Sequence, residues 1–188
     1  MMIHLLRHGT TTANEQRLYY GSTDLPLSER GVVELKRLRE TLPLPTADAY
    51  LASGMRRARE TLWLLFDETP RRTMEELNEF DYGDFEMKRY DELKNNPAYR
   101  RWIDGNDDTP CPNGESHRQF KKRISKGFET IRTMDVESVV VVCHGGVIAT
   151  LMKMLFPGRM RHFYEWVPDC GRGFAVEIAN GSFSYTTI

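Results

Sequence analysis

The stretch that most limits the fold is ESVVVVC, residues 137–143. Four valines in a row leave no polar face, so the strand they form must be covered on both sides. A strand covered on both sides belongs to a sheet sandwiched between helices. A helix pattern follows it directly, over Gly145–Phe156. The same strand-then-helix unit recurs upstream. Met2–Arg7 reads as a short apolar strand, and Ser28 is a fitting N-cap for a helix over Glu29–Thr41. Val32, Leu35, Leu38 and Leu42 fall at helical spacing there, and Pro43 and Pro45 end the pattern. Ala49–Ala52 predicts a strand, Met55–Phe66 a helix and Arg72–Glu76 a short strand. Ser116–Arg132 predicts a long amphipathic helix with His117, Phe120, Ile124, Phe128 and Ile131 along one stripe.

The chain closes on Gly173–Ala179 and Ser182–Thr187, which flank Asn180-Gly181, a strong two-residue hairpin signal. Alternating strands and helices followed by a hairpin predict a three-layer α/β/α sandwich with a mainly parallel mixed sheet. Residues 78–115 differ in character, with many charges, several aromatics and Pro97, Pro110 and Pro112. They predict a small cap-like insertion with one or two short helices. The length of 188 residues fits one domain, 1–188, with no interdomain linker.

Charge narrows the partners. Lys+Arg is 26 and Asp+Glu is 27, without the basic excess of a non-specific nucleic-acid binder. No apolar run is long enough to span a bilayer. His4 and Arg7 interrupt the opening stretch, and Gly9–Asn14 turns polar, so it does not read as a signal peptide. Cys111, Cys143 and Cys170 form no CxxC pair and read as free thiols of a reducing compartment. The expectation is a cytoplasmic protein with no nucleic-acid or membrane partner. Its oligomeric state is left open, although the terminal hairpin offers an edge for self-association.

Two histidines take equivalent places: His8 follows the first strand in RHG, and His144 follows ESVVVVC in HGG. In open α/β sheets the ligand crevice lies beyond the carboxyl ends of strands, so two distant positions predict one site. Glycines there allow close backbone approach, and helix N-termini offer N–H groups to an anion. Each motif alone is weak, because an Arg-His pair or a Gly-Gly beside a turn is common. Cys143-His144 does not form a cysteine-phosphatase loop, which needs an arginine six residues on, where Ala149 stands. No HExxH or paired Cys/His spacing points to a metal. His4, His117 and His162 are most simply structural or surface residues.

Taken in order along nearly the whole chain, the motifs resemble those of the histidine phosphatase superfamily, the phosphoglycerate-mutase-like group. RHGTTTAN resembles the family's RHG-x-T-x-x-N, and YYGSTDLPLSERG its G-x-x-D-x-P-L-[ST]-x-x-G segment. SGMRRARET resembles S-P-L-x-R-A-x-Q-T, LNEFDYGDFE resembles L-x-E-x-x-x-G-x-x-E, and PNGES and VVCHGGVI complete the set. Gly54, Glu60 and Met87 depart from the family's proline, glutamine and glycine.

The resemblance implies a metal-independent phosphomonoesterase without a cofactor. His8 would be the nucleophile and form a phosphohistidine. Arg7 and Arg57 would clamp the phosphoryl group as planar bidentate donors. His144 would hydrogen-bond the group, either protonated or as a neutral donor. Glu79 would serve as general acid and then base. Asn14, Tyr19, Gly21 and Gly145 are further substrate-binding candidates; the alternative for Asn14 is a helix cap, and for Glu79 a solvated loop acid. The implied partner is a small phosphorylated substrate. The short chain favours a phosphatase, similar to α-ribazole phosphatases or to broad-specificity phosphomonoesterases. The alternatives are a phosphoglycerate-mutase-type phosphotransferase and a low-turnover phospho-ligand binding protein. Residues 80–115 and the Tyr19–Tyr20 loop are expected to select the substrate. Tyr82, Phe85, Tyr90, Tyr99 and Trp102 are candidates for ring stacking, and Lys88, Arg89, Arg100 and Arg101 for extra negative charge. For any one of these, core cover or plain solvation is the simpler reading.

Overall fold

The structure is a computed structural model and describes residues 1–159 and 162–188. In chain order the strands are β1 (Met2–Arg7), β2 (Ala49–Ser53), β3 (Arg72–Met74), β4 (Ser138–Cys143), β5 (Gly173–Ala179) and β6 (Ser182–Thr187). The helices are α1 (Thr12–Gln16), α2 (Glu29–Thr41), α3 (Arg56–Phe66), α4 (Tyr90–Leu93), α5 (Pro97–Ile103), α6 (His117–Arg132) and α7 (Gly145–Leu155). Single 3₁₀ turns cover Glu75–Leu77, Gly83–Phe85 and Phe163–Trp166.

The six strands form one sheet in the order β3-β2-β4-β1-β5-β6. β3, β2, β4 and β1 run parallel to one another, whereas β5 is antiparallel to β1 and β6 antiparallel to β5. The valine run does what its composition requires. Val139 and Val141 face a cluster with Ile3, Leu5, Phe120, Ile124, Phe128, Val147 and Leu151, that is, the α6–α7 layer. Val140 and Val142 face Leu6, Ala52, Ala58 and Leu62, the α3 layer. α2 adds Leu35 against Leu65 of α3. Burying each such side chain contributes about 1.5–3 kcal/mol. The sandwich is therefore fixed by the centre of the sheet.

The predicted boundaries hold within a few residues. β3 stops at Met74 because the chain tightens into the 3₁₀ turn that follows. Ser116 caps α6, its Oγ accepting from Gln119 N while Gln119 Oε1 accepts from Ser116 N. Asn180 and Gly181 have φ of 51° and 75°, the left-handed pair of a tight hairpin turn. The short α1 shows in the sequence only through the cap alternative for Asn14. Five residues carry too little periodicity to show a helix.

Residues 78–115, where one or two short helices are expected, contain α4 and α5. Their buried aromatics are continuous with the main core: Phe80, Phe85, Tyr99 and Trp102 share one cluster with the sheet and α6.

Candidate active site

β1 and β4 are hydrogen-bonded neighbours in a register that pairs Arg7 with Cys143. The next residues on each strand are His8 and His144, and their rings lie 5.1 Å apart between centroids. Sheet register alone thus joins two positions 136 residues apart in sequence. β2 lies on the other side of β4, and its last residue, Ser53, reaches the same place.

His8 is buried, and its Nδ1 lies 2.7 Å from the Gly9 carbonyl oxygen. A carbonyl only accepts, so Nδ1 carries the proton and the Nε2 lone pair is left for the site. Burial, and then the Arg57 and Arg7 guanidiniums, hold this imidazole well below the usual histidine range. It is neutral at pH 7, the form that can attack phosphorus.

Arg57 is fully buried on the first turn of α3. Its Nη1 donates to Thr23 O at 3.0 Å and its Nη2 to Gly21 O at 2.9 Å. Its guanidinium lies 4.8 Å from the centre of the Tyr20 ring. Arg7 donates from Nη1 to Pro168 O at 2.8 Å. These contacts occupy outer nitrogens and leave the inner ones. Arg7 Nε, Arg57 Nε and His144 Nδ1 are buried without a hydrogen-bond partner among the described residues. A buried unpaired polar group is costly, about 1–3 kcal/mol each. The two arginine nitrogens are donors, and beside them His144 Nδ1 is a third unpaired nitrogen, so the cluster suits an anion that accepts from the guanidiniums.

Glu79 sits on the rim. Its carboxylate accepts from Phe80 N and from Gly146 N, both at 2.9 Å. A Cβ on Gly146 would fall 2.5 Å from Glu79 Oε1, so the second glycine of HGG is what lets the carboxylate rest on the start of α7. The first, Gly145, begins α7, and a Cβ there would lie 3.3 Å from Arg7 Nε. Glu79 also opens onto a cavity of about 690 Å³ lined by Glu75, Glu76, Asp81, Glu115 and Arg123 among others.

Thr11 caps α1 and Asn14, at N3, completes the capping box, with Oδ1 accepting from Thr11 N, Thr11 Oγ1 and the Tyr20 hydroxyl. With Oδ1 so occupied, only its amide nitrogen is of a kind to meet a phosphate oxygen. Tyr19 is half-buried, its hydroxyl 2.7 Å from that of Tyr99. Gly21 acts on the site through Arg57. Its carbonyl holds that guanidinium, and its N–H donates to Glu86.

Several ring candidates are not at the site. Phe85, Tyr99 and Trp102 are core residues, packed on one another, whereas Tyr82 is half-buried and Tyr90 exposed. The basic candidates are exposed: Lys88 donates to Asp84 O, and Arg100 pairs with Asp104. Cys143 is buried, which pushes its thiol far up and leaves it protonated. Among the described residues, no cluster of three or more His, Cys, Asp or Glu is placed to hold a metal ion.

The sequence reading missed the residues that hold this site in place. Glu86 accepts from Gly21, Ser22, Thr23 and Tyr82 backbone N–H groups and from the Thr23 hydroxyl. Arg123 donates to the carbonyls of Glu76, Asn78 and Glu79 and pairs with Glu115. Glu86 and Glu115 both stand in motifs, LNEFDYGDFE and PNGES, but a motif does not say whether its acid meets substrate or backbone. The departures from the family pattern have local causes. Gly54 N donates to Asn78 Oδ1 at 2.7 Å, a bond a proline cannot make. Glu60 accepts from Leu27 N and from Arg56, and Met87 occupies a left-handed φ of 60°.

Known proteins resemble the chain over most of its length. The sequence profile of the histidine phosphatase superfamily (branch 1) matches residues 3–187. An adenosylcobalamin/alpha-ribazole phosphatase of Salmonella typhimurium is 30% identical over 186 residues, covering 96% of this chain and 92% of that protein. A 2,3-bisphosphoglycerate-dependent phosphoglycerate mutase of Methylorubrum populi is 31% identical over 171 residues, covering 82% of this chain and 78% of the mutase. The crystal structure of the alpha-ribazole phosphatase of Shigella flexneri superimposes with a TM-score of 0.88 at 26% identity, over 100% of this chain and 96% of that one.

Proposed function

The chain belongs to the histidine phosphatase superfamily and is a phosphatase; from that premise we propose that it hydrolyses a small phosphomonoester through a phosphohistidine on His8. The observation that carries the reading is the trio of buried, unpartnered nitrogens, Arg7 Nε, Arg57 Nε and His144 Nδ1, beside a neutral imidazole. His8 Nε2 attacks phosphorus in line as the ester oxygen departs. The donors take the charge on the equatorial oxygens, where most of the catalysis of phosphoryl transfer lies. Glu79 protonates the leaving oxygen, and its carboxylate then takes a proton from the water that attacks the phosphohistidine. Products are the alcohol and inorganic phosphate, and His8 returns to its starting form.

The substrate we propose is an α-ribazole phosphate-like monoester, on the strength of the relatives named for that reaction. The acidic cavity that Glu79 borders, with Glu75, Glu76, Asp81 and Glu115 against Arg123, includes none of the proposed phosphoryl-binding residues and does not enter this choice. The resemblance to a phosphoglycerate mutase makes exchange between phosphoglycerates the competing outcome.

Two measurements test the proposal. Rapid quenching with a radiolabelled monoester should trap an acid-labile phosphoenzyme in the native protein and none in His8→Ala, whose turnover should vanish. A His8→Ala protein that still forms the phosphoenzyme would refute the nucleophile. Initial rates on α-ribazole phosphate, sugar phosphates, nucleotides and phosphoglycerates should rank the first highest. Phosphoglycerate exchange outpacing phosphate release would favour the mutase.

A further inference from the structure

Ser53 ends β2 and is completely buried. Its Oγ lies 2.7 Å from His144 Nε2. The same Oγ is 3.4 Å from Met55 N, a donor pointing at it. An N–H can only donate, so toward Met55 the serine oxygen accepts. Its one hydrogen is then available for the histidine. On the far side of the ring, Nδ1 is buried and without a partner among the described residues; the ring lies 5.1 Å from that of His8, and the Arg57 and Arg7 charges act on it.

With a phosphoryl oxygen beside Nδ1, one arrangement of protons gives each of these groups a partner. If Nε2 carried the proton, the serine hydrogen would need another acceptor, and Nδ1 would turn a lone pair toward the phosphoryl oxygens and repel them. If Ser53 donates to Nε2, the proton sits on Nδ1 and faces the site as a donor. We infer that Ser53 is a positioning residue that fixes His144 as its neutral Nδ1–H tautomer, so that His144 stabilises the transferring phosphoryl group as an uncharged hydrogen-bond donor. The inference rests on the proposed phosphoryl site and sharpens it. It chooses between the protonated and the neutral histidine that sequence leaves open. The two histidines then carry their protons on the same atom for opposite purposes. The His8 Nδ1 proton is turned away, onto Gly9 O, and exposes a lone pair; the His144 Nδ1 proton is turned inward and exposes a donor. Ring tautomers are set in this way by the bond the other nitrogen makes.

Long-range ¹H–¹⁵N NMR of the native protein tests this, with His144→Gln used to assign the ring. At pH 7.5 the expected spectrum shows a neutral His144 with Nδ1 protonated and Nε2 in the acceptor range. Protonation at Nε2, or at both nitrogens, overturns the inference. Because the native spectrum is read without turnover, it stands even if Ser53→Ala fails to fold. Where Ser53→Ala does fold, its His144 should move toward the Nε2–H tautomer and its kcat should fall at least about tenfold. Ser53→Thr, which keeps the hydroxyl, should restore both the tautomer and much of the rate. An unchanged tautomer in Ser53→Ala refutes the role of Ser53. Failure of the phosphohistidine reading has a separate sign, a phosphoenzyme that survives in His8→Ala.

Discussion

His8 is kept neutral by burial first and by Arg57 and Arg7 second. Taking away a nearby positive charge favours the protonated imidazole. In Arg57→Gln the His8 titration, followed by NMR, should therefore move to higher pH than in the native protein. A midpoint that stays put would mean that the Arg57 charge does not act on His8. The same substitution deletes a preorganised donor, which should lower kcat by about 10²–10³. A second residue reads on stability instead. Met87 holds a φ of 60° and donates from its N–H to Tyr19 O, at a position where the family has glycine. The left-handed region costs a side chain about 1–2 kcal/mol, and glycine loses roughly 0.5–1 kcal/mol more chain entropy than alanine on folding. Met87→Gly should thus raise stability by about 0.5 kcal/mol in urea denaturation; a clear loss would show that Met87 makes compensating contacts.

At the scale of elements, the loop over residues 19–23 is a part of the candidate active site although none of its side chains needs to react. It presents the Gly21 and Thr23 carbonyls to Arg57, and it is held in turn by the Glu86 carboxylate. It lies so close to the segment after Glu79 that a Cβ on Gly21 would fall 1.7 Å from Phe80 O. Glu86→Ala removes the acceptor shared by three successive loop N–H groups. The loop should loosen, Arg57 should lose its bearing, and kcat/KM should drop about 10²-fold, the size expected for a misplacement of about 1 Å. Amide exchange at residues 21–23 should quicken in parallel. Normal kinetics with fast exchange would separate the loop from Arg57. On the opposite rim, Arg123 does for Glu79 what Glu86 does for Arg57, gathering three carbonyls of residues 76–79 under one guanidinium.

Over the whole molecule, burial depresses the pKa of four histidines, His4, His8, His117 and His144. The unfolded chain protonates them near 6.5, whereas the folded chain does so only at lower pH. Their contribution to stability is complete above about 6.5 and is lost as pH falls through the window below it. Thermal unfolding midpoints should be flat from pH 7 to 8 and fall between pH 6.5 and 5, before most carboxylates titrate. A midpoint constant down to pH 5 would contradict the burial of these rings. The same global view bears on membranes: no described helix is long and apolar enough to cross one.

Sequence by itself determined the elements and their layering. The valine run demanded cover on both faces, the helix stripes gave α2, α3 and α6 nearly residue for residue, and Asn180-Gly181 fixed the hairpin. It also singled out His8, Arg7, Arg57, Glu79 and His144, because these stand within recognisable motifs. Periodicity reports which face of an element is buried, not which neighbour covers it. The aromatics of residues 80–102 therefore divided into core and surface only in three dimensions. Only the tertiary structure decided that β1 lies beside β4, that Ser53 meets His144 across 91 residues, and that Glu86 and Arg123 are bound to backbone. The reason is physical. A hydrogen bond depends on angstrom-scale geometry between groups remote in the chain, and it is those bonds that place each proton and each unpartnered donor of the site.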